Sequence, residues 1–191
     1  AQEFAKKWNI NVNYMGSSSA AVADQVSVIN QAISSGVDAI CISTVDAAGV
    51  SDALNEARDA GIVVSTWDSD ANVEDRSLMV SQGTPEVLGQ MLVDMAVDGL
   101  KARGKDPEKD EIKYCWHYSQ ATVTDQNSWQ VAGEKIIAET YPNWTNVHPD
   151  NYYSEQDAEK SITVGEAVLD ANPDIDVIIC NDSTALPGQL Q

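Results

Sequence analysis

Twice within its first 62 residues the chain runs a helix-period segment into a glycine and directly on into a short β-branched run, at Ser35-Gly36-Val37 and Ala60-Gly61-Ile62. Glycine is the usual residue just past a helix end, because it takes the left-handed conformation without a Cβ clash. Before Gly36, Val22, Val26, Ile29 and Ile33 recur at helical spacing and give segment 21–35 one apolar face. The runs that follow, 39–43 and 62–67, are apolar without strict alternation. Strands of that kind are buried on both sides, which is the condition of a parallel sheet linked by crossover helices. The pattern predicts an α/β fold with helices at 1–8, 21–35, 47–60 and 85–102, and strands at 11–14, 39–43, 62–67 and 77–81. Pro85 suits the first turn of the last of these helices.

At 103–111 the sequence turns polar (RGKDPEKDE), with a glycine, a proline and a run of charges. That composition marks a connection between lobes. The helix–strand alternation then restarts, with strands expected at 112–118, 144–152 and 177–180 and helices at 127–140 and 157–171. The expected organisation is an N-terminal lobe at 1–103, a connection at 104–111, and part of a C-terminal lobe at 112–191. The opening AQEFAKKW has helix period and no N-cap, so the native start is expected upstream of it.

Charge excludes two classes of partner. Thirty acidic residues against eleven basic ones leave a net charge of −19, which repels phosphate backbones and anionic lipid headgroups. No nucleic-acid partner is expected, and no apolar run reaches the roughly 18 residues of a membrane span. Cys41, Cys115 and Cys180 each fall inside a strand-like run, so three buried thiols are expected rather than a disulfide or a zinc site. His117 and His148 lack metal-ligand spacing, and no metal or cofactor is expected.

In open parallel sheets a ligand lies beyond the carboxyl ends of the strands. That rule selects Asp68-Ser69-Asp70 after 62–67, the stretch 119–127 after 112–118, and Asn181-Asp182-Ser183-Thr184 after 177–180. These ends are rich in carboxylates, amides and hydroxyls, the groups that hydrogen-bond a polyhydroxylated small molecule. Asp70, Thr124, Asp182 and Thr184 fit ordinary caps and turns. Asp68 and Asp125 come from different lobes and are expected to face one cleft. Trp67 and Trp116 are the rings expected nearest to it, each fitting the core better than a stacking platform.

Enzyme readings find little to hold. Asp68-Ser69-Asp70 mimics the Asp-x-Asp of a magnesium-dependent phosphatase, but no Lys-bearing or paired-Asp motif follows, and Asn72 replaces the expected Thr or Val. No nucleotide-binding glycine motif is present and no nucleophile is paired with Asp125, so no catalytic residue is assigned. An effector domain of a transcription repressor would need a helix-turn-helix upstream of residue 1.

VVSTWDSD (63–70), SQGTPEVLGQMLVDMA (81–96), YSQATVTDQNSW (118–129) and DVIICNDSTALP (176–187) resemble the autoinducer-2-binding receptors of LsrB type. These belong to the type I periplasmic-binding-protein superfamily, beside rhamnose and ribose binders. The resemblance implies a two-lobed fold, each lobe a parallel sheet flanked by helices. It implies an extracytoplasmic monomer, periplasmic or lipid-anchored, that serves an ABC importer and closes on a cyclic, hydroxylated furanose. It assigns ligand binding to Asp68, Asp125, Gln126, Asn181 and Ser183; the family usually carries Pro and Ala at the last two positions. It also implies a first strand with a ligand-binding Lys that this sequence lacks, and a C-terminus about a hundred residues further on. The chain is therefore expected to be truncated at both ends, and rhamnose or ribose remain alternative ligands.

Overall fold

A computed structural model describes residues 2–16 and 19–190; residue 1, where the expected opening helix begins, lies outside them. In chain order the elements are α1 (Gln2–Trp8), α2 (Val22–Ser34), β1 (Ala39–Ile42), α3 (Ser51–Asp59), β2 (Val63–Trp67), β3 (Leu78–Val80) and α4 (Pro85–Ala102). There follow β4 (Ile112–Tyr118), α5 (Thr124–Thr140), β5 (Trp144–Asn146), β6 (Tyr152–Tyr153), α6 (Ala158–Ala171), β7 (Val177–Cys180) and α7 (Ala185–Gln189).

Two parallel sheets result. The first has the order β1-β2-β3, with Ile42 opposite Thr66 and Trp67 opposite Val80. In the second, β4 pairs with β7 along Tyr114–His117, and with β5 and β6 at its two ends. Residue 114 pairs with both β5 and β7, and residue 117 with both β6 and β7, so β5 and β6 share the edge opposite β7. The expected single strand 144–152 is thus broken in two. Pro149 has no N–H to give a ladder, and Asn151 sits at φ +61°, so the backbone leaves the sheet between them.

Each sheet has its own core. Ile29, Val50, Leu54, Ala57 and Val64 join α2 and α3 to one face of the first sheet. The other face is open among the described residues: strand alternation puts Cys41, Val63, Trp67, Leu78 and Val80 on it, all exposed. Cys41 is therefore not the buried thiol expected, whereas Cys115 is buried and Cys180 half-buried. Residues 11–14 form no strand either. Tyr14 is 89% exposed, and no neighbouring strand stands beside the segment among the described residues to supply a ladder.

The largest departure concerns α4. The expected lobe boundary at 104–111 assigns this helix to the first lobe, yet Val93, Ala96, Val97 and Leu100 pack with Ile112, Tyr114, Trp116, Ile137 and Ile179. The apolar face of α4 is complementary to the second sheet, and the chain passes from one core to the other through residues 81–84. The polar segment 103–111 is instead a loop inside the second half, tied by the Trp144 Nε1–H bond to the Pro107 carbonyl at 2.9 Å. Thr84 caps α4 by accepting from the Val87 N–H at 3.4 Å, so the helix starts directly after the crossing.

Two glycines let α4 and α5 touch. A Cβ on Gly89 would stand 2.7 Å from the Trp129 carbonyl oxygen and 2.8 Å from the Gly133 nitrogen; one on Gly133 would stand 2.9 Å from the Trp116 ring. These contacts are mostly backbone, which cannot swing aside. Gly89→Ala is expected to lower stability by about 1–3 kcal/mol, the usual cost of overpacking. Urea denaturation checks this, and unchanged stability would contradict the packing of α4 on α5.

Candidate functional site

The carboxyl ends of β1, β2, β4, β6 and β7 converge on one cavity of about 410 Å³. Asp68, Asp125, Gln126, Asn181 and Ser183 all line it, and Asp70 does not. The two halves also touch beside it, where the Thr122 hydroxyl donates to the Val45 carbonyl at 3.2 Å.

Asp68 follows β2 at φ +60°, a conformation that Asp tolerates better than most residues. Ser43, just past β1, steadies it: its hydroxyl donates to Asp68 Oδ2 at 3.3 Å and accepts from the Ser69 N–H at 3.3 Å. Asp70, two residues on, has a different fate. Arg76 grips it bidentately, both N–H···O distances being 2.7 Å, and Thr66 donates to the same carboxylate. Burial alone would raise the Asp70 pKa, but the bonds from Arg76 and Thr66 outweigh it and hold the carboxyl below its usual range. Asp70 is thus a structural ion pair, unavailable as the second acid of an Asp-x-Asp phosphatase.

Helix α5 begins three residues earlier than expected, which places Asp125 and Gln126 in its first turn. Gln126 is buried; its Oε1 accepts from the Ser119 N–H at 3.1 Å and the Ser119 hydroxyl at 3.0 Å. What Gln126 retains for a ligand is its amide N–H pair. Burial pushes the Asp125 carboxyl up, and the charge of Asp68 adds to the rise. Ser69 lies close enough to temper it, although its hydroxyl makes no well-aligned bond to Asp125.

Asn181 donates to the Gln126 carbonyl at 3.3 Å, leaving its own Oδ1 free. Three buried polar atoms around the cavity accordingly lack a hydrogen-bond partner: Ser69 Oγ, Asp125 Oδ1 and Asn181 Oδ1. Each such orphan costs about 1–3 kcal/mol of desolvation. Two are pure acceptors and the third is a hydroxyl, so the cavity is built to receive hydrogen-bond donors. Among the described residues no cluster of His, Cys, Asp and Glu could hold a metal.

Sequence reasoning missed several lining residues. Ser43, Thr44 and Val45 follow β1, and the strand-end rule applied to 39–43 would have found them. Trp129 is the ring that lines the cavity, one helical turn beyond Asp125 and on the same face of α5. Trp116 is fully buried in the core, and Trp67 lies on the open face of the first sheet. Asp182 lines the cavity too, but its Oδ2 caps α7 by accepting from the Thr184 and Ala185 N–H groups at 2.9 and 2.8 Å.

The raised Asp125 pKa fixes a sign. The folded protein holds this proton more tightly than the unfolded chain, so the ionised carboxylate costs stability above the raised value. That cost fades as pH falls through it. Asp125→Asn is expected to melt higher than the parent protein at pH 7, with the gap narrowing towards the ordinary carboxylate range. Paired melting curves across pH check this; a gap that stays constant with pH would contradict it.

Comparison with known proteins places the fold. Residues 1–191 match the family described as periplasmic binding protein domain. Over 172 residues the chain is 27% identical to the D-ribose/D-allose-binding protein of Pseudomonas aeruginosa, covering 86% of this chain and 50% of that one. Among solved structures it is similar to LsrB from Clostridium saccharobutylicum in complex with AI-2, at 67% identity and a TM-score of 0.97, covering 99% of this chain and 58% of that one. A solute-binding protein of an ABC transporter from Clostridium phytofermentas, with bound L-rhamnose, superposes with a TM-score of 0.80 at 27% identity, covering 94% and 53%. The chain thus spans about half the length of the relatives it matches.

Proposed function

The chain belongs to the periplasmic binding protein domain family, and we propose that it is the greater part of an extracytoplasmic receptor that binds autoinducer-2 between two lobes. The observation that carries this reading is the cavity itself: two carboxylates and an amide oxygen, two of these groups with buried unpaired acceptors, converge from separate sheets where a hydroxyl-rich ring would donate to them. The likeness to LsrB with bound AI-2 supports the choice of ligand. The protein is read as a binder and not an enzyme: the proteins it resembles are solute-binding proteins, and Asp70 is locked by Arg76.

The mechanism follows from the placement of the groups. Asp68 rides on the first sheet; Asp125, Gln126, Asn181 and Ser183 ride on the second. A ligand that donates to Asp68 and to Asp125 bridges the two and gains those bonds together only when the lobes approach. Binding therefore shifts the population towards the closed form by the difference in contacts between the two states. Asn181 Oδ1 and the Ser183 hydroxyl add side-chain hydrogen bonds to the set. In the closed form the receptor would present itself to the membrane subunits of an ABC importer. Among the described residues no helix is long and apolar enough to cross a membrane.

Thermal-shift and calorimetric titration of the full-length receptor with autoinducer-2, L-rhamnose and D-ribose test the reading, since a ligand that binds only the folded state raises its melting temperature. Autoinducer-2 is expected to stabilise; stabilisation by a sugar alone would keep the cleft and change the ligand. Asp125→Ala and Asp68→Ala are each expected to weaken binding tenfold or more, about 1.4 kcal/mol or above. An unchanged dissociation constant in both would overturn the site.

A further inference from the structure

Of the five non-glycine residues with positive φ among the described residues, Asn9, Asp68 and Asn151 are types that tolerate the left-handed region. Glu155 and Gln156 are not, and they are adjacent, at φ +55° and +59°. The Asp157 N–H closes the turn on the Ser154 carbonyl at 3.0 Å. Two successive left-handed residues closed in this way make a type I′ turn, whose central pair is ordinarily Asn-Gly, Asp-Gly or Gly-Gly. Here it is Glu-Gln, against the local rule at both positions.

The surroundings hold the turn in place. Ser154 is fully buried and its N–H donates to the Tyr118 carbonyl at 3.1 Å; the Glu155 N–H donates to the Ser119 carbonyl at 2.7 Å. Lys160 meets Glu155 Oε1 at 2.7 Å. Ser119 is a shared anchor, because its own N–H and hydroxyl fix Gln126. One residue at the end of β4 therefore sets Gln126 and the turn in fixed relation. Gln156 lines the cavity from its exposed lip, and its side chain has no hydrogen-bond partner among the described residues. Strain that the structure sustains beside a binding site is where a functional constraint is to be sought.

We propose that Gln156 is a further ligand-recognition residue, its amide carried to the lip of the cleft by this strained turn. The proposal rests on the cleft being the ligand site. A primary amide both donates and accepts, which suits an outer hydroxyl of a cyclic polyol. The second sheet carries Gln156 together with Asp125 and Gln126, so closure brings it down on the face of the ligand turned to solvent. A glycine would relax the turn and lose that contact, which explains why a side chain ill-suited to the backbone stands here.

The test titrates the full-length receptor with autoinducer-2 and records melting curves without ligand. Gln156→Gly is expected to melt higher, as relief of strain would give, and to bind at least fivefold more weakly. Glu155→Gly relieves the neighbouring strain outside the cavity; it is expected to melt higher with affinity within twofold. Equal loss of affinity in both variants would overturn the proposal, by showing that the loop and not the amide matters. Unchanged affinity in Gln156→Gly, with Asp125→Ala still weakened, would overturn it and leave the cleft as the site. Unchanged affinity in Gln156→Gly and Asp125→Ala alike would overturn both.

Discussion

Parallel strands all end at the same edge of their sheet, and the site depends on that constraint. β4 shows it most clearly: three strands pair with it, and all but one of its seven residues are buried. Its last turn of backbone therefore emerges from a rigid core at one place. Ser119 stands there, fully buried, with its N–H and hydroxyl on Gln126 and its carbonyl on Glu155. Ser43 does the equivalent at the end of β1, holding both the Asp68 carboxylate and the Ser69 N–H. Two small hydroxyl residues, one per sheet, thus convert strand ends into fixed positions for the longer side chains beyond them.

The same edges concentrate polar groups that the fold does not satisfy. Asp68 and Asp70 are two residues apart and chemically identical, yet only one is neutralised. Arg76 closes on Asp70 with Thr66 in support, while Asp68 turns into the cavity with one long bond from Ser43. Asp125 is buried deeper, its charge opposed by burial and by Asp68. A chain selected for stability alone would fill such a space with paired or apolar groups. On the proposed reading, the unpaired polar atoms beside the cleft would gain their partners when a donor-rich molecule enters, and the energy withheld from folding would become available to binding and to closure.

Legibility in the sequence followed local signals. Helix 85–102 and strands 112–118 and 177–180 are legible to the residue, because Pro85 starts the helix and runs dominated by β-branched, aromatic and thiol side chains define the strands. What depended on distant partners was not legible. Residues 11–14 carry strand chemistry, but a strand exists only beside another. Composition puts the lobe boundary where the sequence turns polar, whereas α4 is assigned by the fit of Val93, Val97 and Leu100 to Trp116 and Ile179, a surface match that no local pattern carries. Cys41 is exposed against expectation for a related reason, since whether a strand face is covered is decided by other elements. The strand-end rule, which depends on topology alone, narrows the site to 68–70, 119–127 and 181–184, and the five residues that the family resemblance assigns within those stretches line one cavity. Trp129 and Gln156 escaped the rule, one a helical turn inside α5 and the other behind a strand of two residues that had been read as part of a longer one.

The assignment of α4 to the second core bears on how the cleft works. Residues 81–84 become the passage between the cores, and α4 begins at once behind the Thr84 cap. No slack lies between the crossing and a helix of 18 residues that packs on α5 through Gly89 and Gly133. Trp129 sits at that contact, its carbonyl against Gly89 and its ring on the cavity. In the proposed closure, rotation of the second half about the crossing would carry α4, α5, Trp129, Asp125, Gln126 and the turn bearing Gln156 as one body. Contacts within that body are the same in the open and closed states and contribute nothing to closure. Only bonds that span to Asp68 and its neighbours on the first sheet distinguish the two states. On this proposal the carboxylate on the first sheet acquires a weight in closure out of proportion to its number of contacts, while the many groups on the second sheet would set which molecule is held there long enough to be bridged.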